Sequence, residues 1–214
     1  MSGANLSYVH RFIPSSGSPY TLLLLHGTGG NETDLLDLGA ALLPGAALVS
    51  PRGNVMEGPM PRFFRRLAEG VFDEEDLKRR TNELVEFIEA ASTEYGFDAG
   101  KVIAVGYSNG ANIAASLLLL QPSVLRGAAL FRAMVPLQPP ASPNLSGVPV
   151  LLAEGRHDPL VPMENAERLA AMLQSAGADV TLRWQEGGHG LARDEFAFAH
   201  EWLSKMTGDA AYGV

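Results

Sequence analysis

The chain has 214 residues, of which 46% are hydrophobic and 19% charged, a balance typical of a folded globular protein with one sizeable core. Its net charge of −8 disfavours nucleic acid and anionic membranes as partners, because both repel an acidic surface. The chain contains no cysteine, which excludes disulfides, zinc–thiolate sites and a cysteine nucleophile.

Short apolar segments alternate with longer helical patterns along the chain. Residues 7–14 predict an antiparallel edge strand, and the later segments, closed by Gly or Pro, predict parallel strands buried on both faces. These segments are 21–27, 46–51, 101–107, 127–135, 148–155 and 180–187. Helices are predicted from a cap at Asp73 to Tyr95, and over 110–121, 162–177 and 193–206, with a flexible tail at 207–214.

This alternation predicts one α/β domain spanning 1–214, with right-handed βαβ units on a mostly parallel sheet. Two connections lack a helical pattern, at 52–72 and 136–147. Loops of this length are uncommon and often functional. The start of the chain lacks the basic residues and apolar run of a secretory signal, and no apolar stretch reaches the roughly 18 residues of a membrane span. We therefore expect a cytoplasmic protein without a membrane span.

The motif GYSNG places Ser108 between Gly106 and Gly110, after a predicted strand and before a predicted helix. The five-residue pattern alone is weak, and a plain strand-to-helix turn could also contain a serine. The strand–turn–helix context is the one a nucleophile elbow requires, with the hydroxyl held at the carboxyl end of the sheet.

A serine nucleophile needs a base and an acid, which in this type of fold follow it in the order acid, then histidine. Asp158 and His189 both lie just after predicted strands, so they should reach the same sheet edge as Ser108. Glu154 is the nearest rival acid, and Asp179 precedes its strand and lies at the wrong edge. The histidines at positions 10, 26, 157 and 200 are less well placed.

The glycine-rich segment HGTGG, residues 26–30, can supply part of an oxyanion hole. In this arrangement the backbone N–H groups of Thr28 and Asn109 are the expected donors. A phosphate-binding loop is the alternative, but the segment lacks the lysine and spacing of that motif. No histidine pair has the spacing of metal ligands, so no metal site is expected.

Taken together, the segments LLLLHGTGGNETDL, GYSNGANIA, GRHDPLVP and GGHG resemble the small α/β-hydrolases of the carboxylesterase and phospholipase family, in the family's order and over nearly the whole chain. The resemblance implies an α/β-hydrolase fold without a large cap domain. It also implies a Ser108–His189–Asp158 triad, an oxyanion hole at Thr28 and Asn109, and no cofactor.

Two positions depart from the related acyl-protein thioesterases. Those proteins usually carry Gln after the serine, where this chain has Asn109, and a Trp-Phe-Asp-like stretch where it has Arg62-Phe63-Phe64-Arg65. The chain looks more like the bacterial carboxylesterase branch. The dienelactone hydrolases are also related, but they generally use a cysteine.

The sequence therefore predicts a serine esterase that hydrolyses short- to medium-chain esters and loses activity at acidic pH, where the base is protonated. The expected partner is a small-molecule ester. The residues expected to border its pocket are Met60, Arg62, Phe63, Phe64 and Leu160, although Phe63 and Phe64 could instead anchor their loop to the core. A thioesterase or lysophospholipase for longer chains, and a non-catalytic binding protein, remain alternatives, and the oligomeric state, a homodimer included, stays open.

Overall fold

The structure, a computed structural model, describes residues 6–208. Its strands, numbered in chain order, are β1 (His10–Ile13), β2 (Thr21–Leu25), β3 (Ala47–Pro51), β4 (Val55–Glu57), β5 (Met60–Arg62), β6 (Arg66–Ala68), β7 (Val71–Phe72), β8 (Val102–Tyr107), β9 (Gly127–Phe131), β10 (Pro149–Gly155) and β11 (Asp179–Gln185). Its helices are α1 (Leu36–Leu42), α2 (Glu74–Tyr95), α3 (Asn109–Leu120), α4 (Met163–Ser175) and α5 (Arg193–Thr207).

Seven strands form one central sheet in the order β1-β3-β2-β8-β9-β10-β11. Strand β1 pairs antiparallel with β3, with Phe12 opposite Val49, and the other pairs of this sheet are parallel. Every residue of β2, β3 and β9 is buried, as expected for strands covered on both faces. The predicted mostly parallel α/β sheet is confirmed.

Helices cover the sheet on both sides. Leu84 of α2, Leu117 of α3 and Leu169 of α4 belong to one buried apolar cluster, whereas Leu42 of α1 and Leu203 of α5 belong to a second. Each cluster packs against side chains from alternate positions of the strands, because successive strand residues point to opposite faces. The sheet is therefore the middle layer of three.

Helix α2 begins and ends as its sequence predicts. The carboxylate of Asp73 accepts a hydrogen bond from the Asp76 N–H at 3.1 Å, a cap that typically contributes about 1 kcal/mol. Gly96 closes the helix in the left-handed conformation, with φ 73°. Helix α1, by contrast, was not predicted, because its seven residues are too few to show a helical period.

The connection at 52–72 forms two antiparallel hairpins, β4–β5 and β6–β7. Phe63 and Phe64, between the hairpins, are fully buried in the larger apolar cluster. Neither ring is among the residues that line the cavity beside Ser108, where they were expected. They anchor the connection to the core, which was the alternative interpretation, and the side chain of Asn109 accepts the Phe63 N–H at 2.7 Å.

Two predicted boundaries shift. Strand β9 ends at Phe131 rather than at residue 135, because Arg132 has φ 58° and turns the backbone out of the sheet. Thr207, predicted to begin the tail, is the last residue of α5, and Gly208 closes that helix with φ 73°, so the rest of the predicted tail, 209–214, lies outside the described residues. No helix within 6–208 is both long and apolar enough to cross a membrane.

Candidate active site

Ser108 lies at a sharp turn between β8 and α3 and has φ 52°, a conformation that is strained for any residue with a side chain. The flanking glycines make this turn fit. A Cβ on Gly106 would lie 2.7 Å from the Gly110 oxygen, and one on Gly110 only 2.0 Å from the Leu25 oxygen of β2. Both glycines are thus required by close backbone approach, as the sequence motif predicts.

His189 and Asp158 meet Ser108 at the carboxyl edge of the sheet. The His189 Nε2 atom lies 2.9 Å from the Ser108 hydroxyl oxygen, and its Nδ1 atom lies 2.8 Å from a carboxylate oxygen of Asp158. The Asp158 side chain is fully buried, and its other oxygen accepts the backbone N–H groups of Leu160 at 2.8 Å and Val161 at 3.2 Å. The imidazole can therefore take a proton from the serine while the carboxylate fixes its orientation.

Glu154, the rival acid, does not contact His189. Its carboxyl is buried and accepts the Ala133 N–H at 2.9 Å, and burial raises its pKa well above the ordinary value. A raised pKa disfavours the carboxylate anion that would stabilise an imidazolium. The other histidines lie elsewhere: His10 bonds Tyr95, and His200 lies 3.1 Å from the Leu42 carbonyl oxygen.

The loop after β2 presents Thr28 beside Ser108. The backbone N–H groups of Thr28 and Asn109 donate to no acceptor within 6–208, so both can bind a negatively charged oxygen. Hydrogen bonds of the His26 ring stabilise this loop. Its Nε2 accepts the Gly53 N–H at 2.9 Å, its Nδ1 lies 2.7 Å from the Gly27 oxygen, and burial lowers its pKa, which keeps the ring neutral.

Comparison with known proteins identifies the family of this chain. Residues 12–207 match the family model described as Phospholipase/Carboxylesterase. The chain belongs to this family. It is 52% identical to the putative hydrolase MhqD of Bacillus subtilis. The match extends over 188 residues, which are 88% of this chain and 94% of that protein. It also resembles the crystal structure of a Bacillus cereus carboxylesterase, with a TM-score of 0.92 and 48% identity over 94% of this chain and 96% of that one. A carboxylesterase from Mesorhizobium loti has a TM-score of 0.88 at 31% identity, over 94% and 96% of the two chains.

A small cavity of about 50 Å³ opens beside Ser108 in this member of the carboxylesterase family. Two of the residues expected to border the substrate, Arg62 and Leu160, line it, whereas Met60 does not. Met60 instead lies exposed near Gly29, where a Cβ on the glycine would be 3.5 Å from the Met60 Cγ atom. The lining comprises Thr28, Arg62, Arg66, Glu69, Gly70, Phe72, Ser108, Asn109, Asn112, Arg132, Met134, Leu160, Val161 and His189.

Two residues that the sequence did not point to hold the His189 loop. Arg132 is fully buried and donates to the carbonyl oxygens of Gly188 at 2.9 Å and Gly190 at 2.7 Å. The hydroxyl of Tyr107 donates to the carbonyl oxygen of His189 at 3.1 Å. Three consecutive carbonyl groups are thus fixed from two sides. An arginine inside the apolar stretch GAALFRAMV is the one sequence signal that could have indicated this role.

A buried carboxylate balances the charge of Arg132. Glu195, in the first turn of α5, receives two hydrogen bonds from the Arg132 guanidinium at 2.5 and 2.9 Å. The same carboxylate accepts the Ala192 N–H at 2.8 Å. The pair therefore connects the end of β9, the His189 loop and the start of α5.

Among residues 6–208, no group of three or more His, Asp or Glu side chains is arranged to hold a metal ion.

Proposed function

We propose that this chain is a serine carboxylesterase in which Ser108, His189 and Asp158 act as a catalytic triad. The observation that supports the proposal most directly is the continuous chain of hydrogen bonds from the Ser108 hydroxyl through the His189 imidazole to the buried Asp158 carboxylate. Membership of the carboxylesterase family supports ester hydrolysis as the reaction class.

In the first half of the reaction, the Ser108 oxygen attacks the ester carbonyl carbon while its proton passes to His189 Nε2. The carbonyl oxygen gains negative charge, which the N–H groups of Thr28 and Asn109 stabilise. Each such donor typically contributes about 3–4 kcal/mol to the transition state. The tetrahedral intermediate collapses, the bond to the alcohol oxygen breaks, and His189 returns the proton to the departing alcohol.

In the second half, water attacks the acyl-enzyme and gives its proton to His189. The bond to the Ser108 oxygen then breaks, the carboxylic acid leaves and the serine regains its proton. Asp158 accepts the Nδ1–H throughout and stabilises the imidazolium that forms in each half.

The size of the cavity supports short to medium acyl chains over long ones. The cavity is small, at about 50 Å³, and the buried rings of Phe63 and Phe64 do not extend it. Apolar surface for the acyl group comes from Phe72, Met134 and Val161.

Covalent labelling with a fluorophosphonate probe tests the proposal. The native protein should react at Ser108 and hydrolyse p-nitrophenyl butyrate. Ser108→Ala should not label and should lose kcat by on the order of 10⁴-fold or more. A native protein that neither labels nor hydrolyses the ester would leave the non-catalytic binding protein as the better interpretation. A series of oxygen esters and thioesters with acyl chains of two to sixteen carbons then tests the thioesterase and lysophospholipase alternatives, both of which require the long chains to be preferred.

A further inference from the structure

Arg62 occupies an unusual position for a charged residue, at the end of β5 and against the catalytic cavity. Its side chain is 3% exposed, and it lines the cavity together with Ser108 and His189. Arginine is rarely buried to this extent without a full set of acceptors. A guanidinium nitrogen of Arg62 without a protein acceptor would therefore indicate where a ligand can bind.

Two of the three guanidinium nitrogens of Arg62 have protein acceptors. Nε donates to the Phe64 carbonyl oxygen at 3.2 Å, and Nη1 donates to the Thr28 hydroxyl at 2.6 Å. Nη2 donates to no acceptor within 6–208, and it is not fully buried. Arg62 lines the cavity, so Nη2, which lacks a protein acceptor, is its candidate donor to a bound ligand.

The positive charge of Arg62 is only partly balanced. The nearest carboxylate is that of Glu57, 3.5 Å from Nε. That carboxylate is already bound by both ends of the Arg66 guanidinium, at 2.6 and 3.0 Å. Two cations thus share one anion. Glu69 lies at the exposed rim of the cavity and forms no ion pair within the described residues. Burial and the neighbouring Arg66 lower the pKa of Arg62, which is the direction expected for an undercompensated cation.

We propose that Arg62 binds a carboxylate carried by the ester substrate, so that the cavity selects short esters with a carboxylate a few bonds from the ester carbonyl. This inference rests on the proposed function and adds a substrate class to it. Thr28 determines how far apart the carboxylate and the ester carbonyl of the substrate must be. Its hydroxyl accepts a hydrogen bond from Arg62, and its backbone N–H is the proposed oxyanion donor, so the two groups bind a few bonds apart. Arginine suits this role because it pairs with carboxylates through planar, directional hydrogen bonds.

Two pairs of esters, the members of each pair having the same shape, separate the effect of substrate charge from the effect of substrate size. Monoethyl succinate and ethyl 4-methylpentanoate differ by a carboxylate in place of an isopropyl group on the acyl side. Butyryloxyacetate and isobutyl butyrate differ in the same way on the alcohol side. Hydrolysis is followed by titration of the acid released. A preference for the charged member of the first pair places the carboxylate on the acyl side, and a preference in the second places it on the alcohol side.

The wild-type protein should favour the charged member of at least one pair in kcat/KM. Arg62→Met should lower kcat/KM for that ester roughly 10- to 100-fold, mainly through KM, because a charge-assisted hydrogen bond is lost. The neutral partner should change by less than about 3-fold, and Arg62→Lys, which keeps the charge, should retain part of the preference. Arg65→Met is the matched control: it removes the same charge from the same connection, but the Arg65 side chain is 64% exposed and pairs with Asp73.

Two outcomes would overturn the inference while leaving the proposed hydrolase function intact. The first is that neither pair of esters shows a difference in kcat/KM. The second is that Arg62→Met lowers kcat/KM equally for charged and neutral esters, which would mean that Arg62 only supports Thr28. If no ester is hydrolysed, the proposed function fails separately, and calorimetry still tests the site. The Ser108→Ala protein should bind monoethyl succinate or butyryloxyacetate about 10-fold or more tightly than Ser108→Ala/Arg62→Met does. Equal affinities would exclude the role, and Ser108→Ala/Arg62→Lys replaces the double variant if that protein does not fold.

Discussion

Replacing Arg132 by methionine should destabilise the fold and displace His189, the proposed catalytic base, and the two effects can be measured separately. The change leaves the Glu195 carboxylate buried, at 3% exposure, without its partner. Breaking a buried ion pair from one side typically costs about 3–5 kcal/mol, a large part of the roughly 5–15 kcal/mol that stabilises a domain. For a domain of this size we expect the melting temperature to fall by about 6–20 °C.

The effect on catalysis has a different origin. Without Arg132, the carbonyl groups of Gly188 and Gly190 lose their donors, and the imidazole between them is no longer held against Ser108. A displacement of the order of 1 Å can cost about 10²-fold in rate. We therefore expect kcat to fall by on the order of 10²-fold, with a smaller change in KM.

The double variant Arg132→Met/Glu195→Gln separates the two effects. Glutamine removes the unpaired charge but keeps an acceptor for the Ala192 N–H, so part of the lost stability should return. The rate should not return, because the loop carbonyls still lack donors. Thermal melts followed by circular dichroism report stability, and p-nitrophenyl butyrate hydrolysis per fluorophosphonate-titrated site reports the rate. A double variant within twofold of the wild-type kcat would refute the idea that Arg132 positions His189.

Three further predictions concern the same edge of the sheet. Tyr107→Phe removes one donor to the His189 carbonyl and should lower kcat about 3- to 10-fold with little change in urea stability; an unchanged kcat would show that the hydroxyl is dispensable. Glu154 has a pKa raised by burial above its ordinary 4.5, so its carboxyl stabilises the fold fully below that value and loses this contribution as pH rises through the folded pKa. Relative to Glu154→Gln, the wild type should thus become less stable from pH 5 upward, by at most about 1.4 kcal/mol per pH unit in urea titrations, and parallel pH profiles would contradict this. Gly155→Ala places a Cβ 2.4 Å from the Gly188 oxygen and should reduce kcat strongly, whereas Gly190→Ala, with nothing within 4 Å, is the control that should stay active.

The parts of the site that the sequence predicts are those attached to strand ends. Ser108, Asp158 and His189 each lie within three residues of the end of a predicted strand, so a rule about parallel strands is enough to bring them to one edge. Hydrophobic patterning likewise recovers the seven strands of the central sheet and helices α2 to α5, whereas α1 and the short hairpin strands β4 to β7 are too short to show a pattern. No contact between distant segments has to be known in advance.

The contacts that the sequence does not reveal join segments far apart in the chain. Arg132 reaches carbonyl groups 56 and 58 positions away, and Tyr107 reaches one 82 positions away. Neither residue belongs to a local pattern. Phe63 and Phe64 show that a local pattern can also leave two roles open. Aromatic residues in a long connection suit a pocket wall or a core anchor equally well, and only the fold distinguishes the two.

The two departures from the acyl-protein thioesterases turn out to be one contact. The side chain of Asn109, where those proteins usually carry Gln, accepts the backbone N–H of Phe63 inside the stretch that also differs. A glutamine would be one methylene longer, so the connection at 52–72 would have to move away from the nucleophile turn. Arg62 is the residue next to this contact and lines the cavity, so we expect Asn109→Gln to shift the backbone that carries the guanidinium. The two positions that differ in the sequence therefore meet in one contact, next to an arginine that lines the cavity.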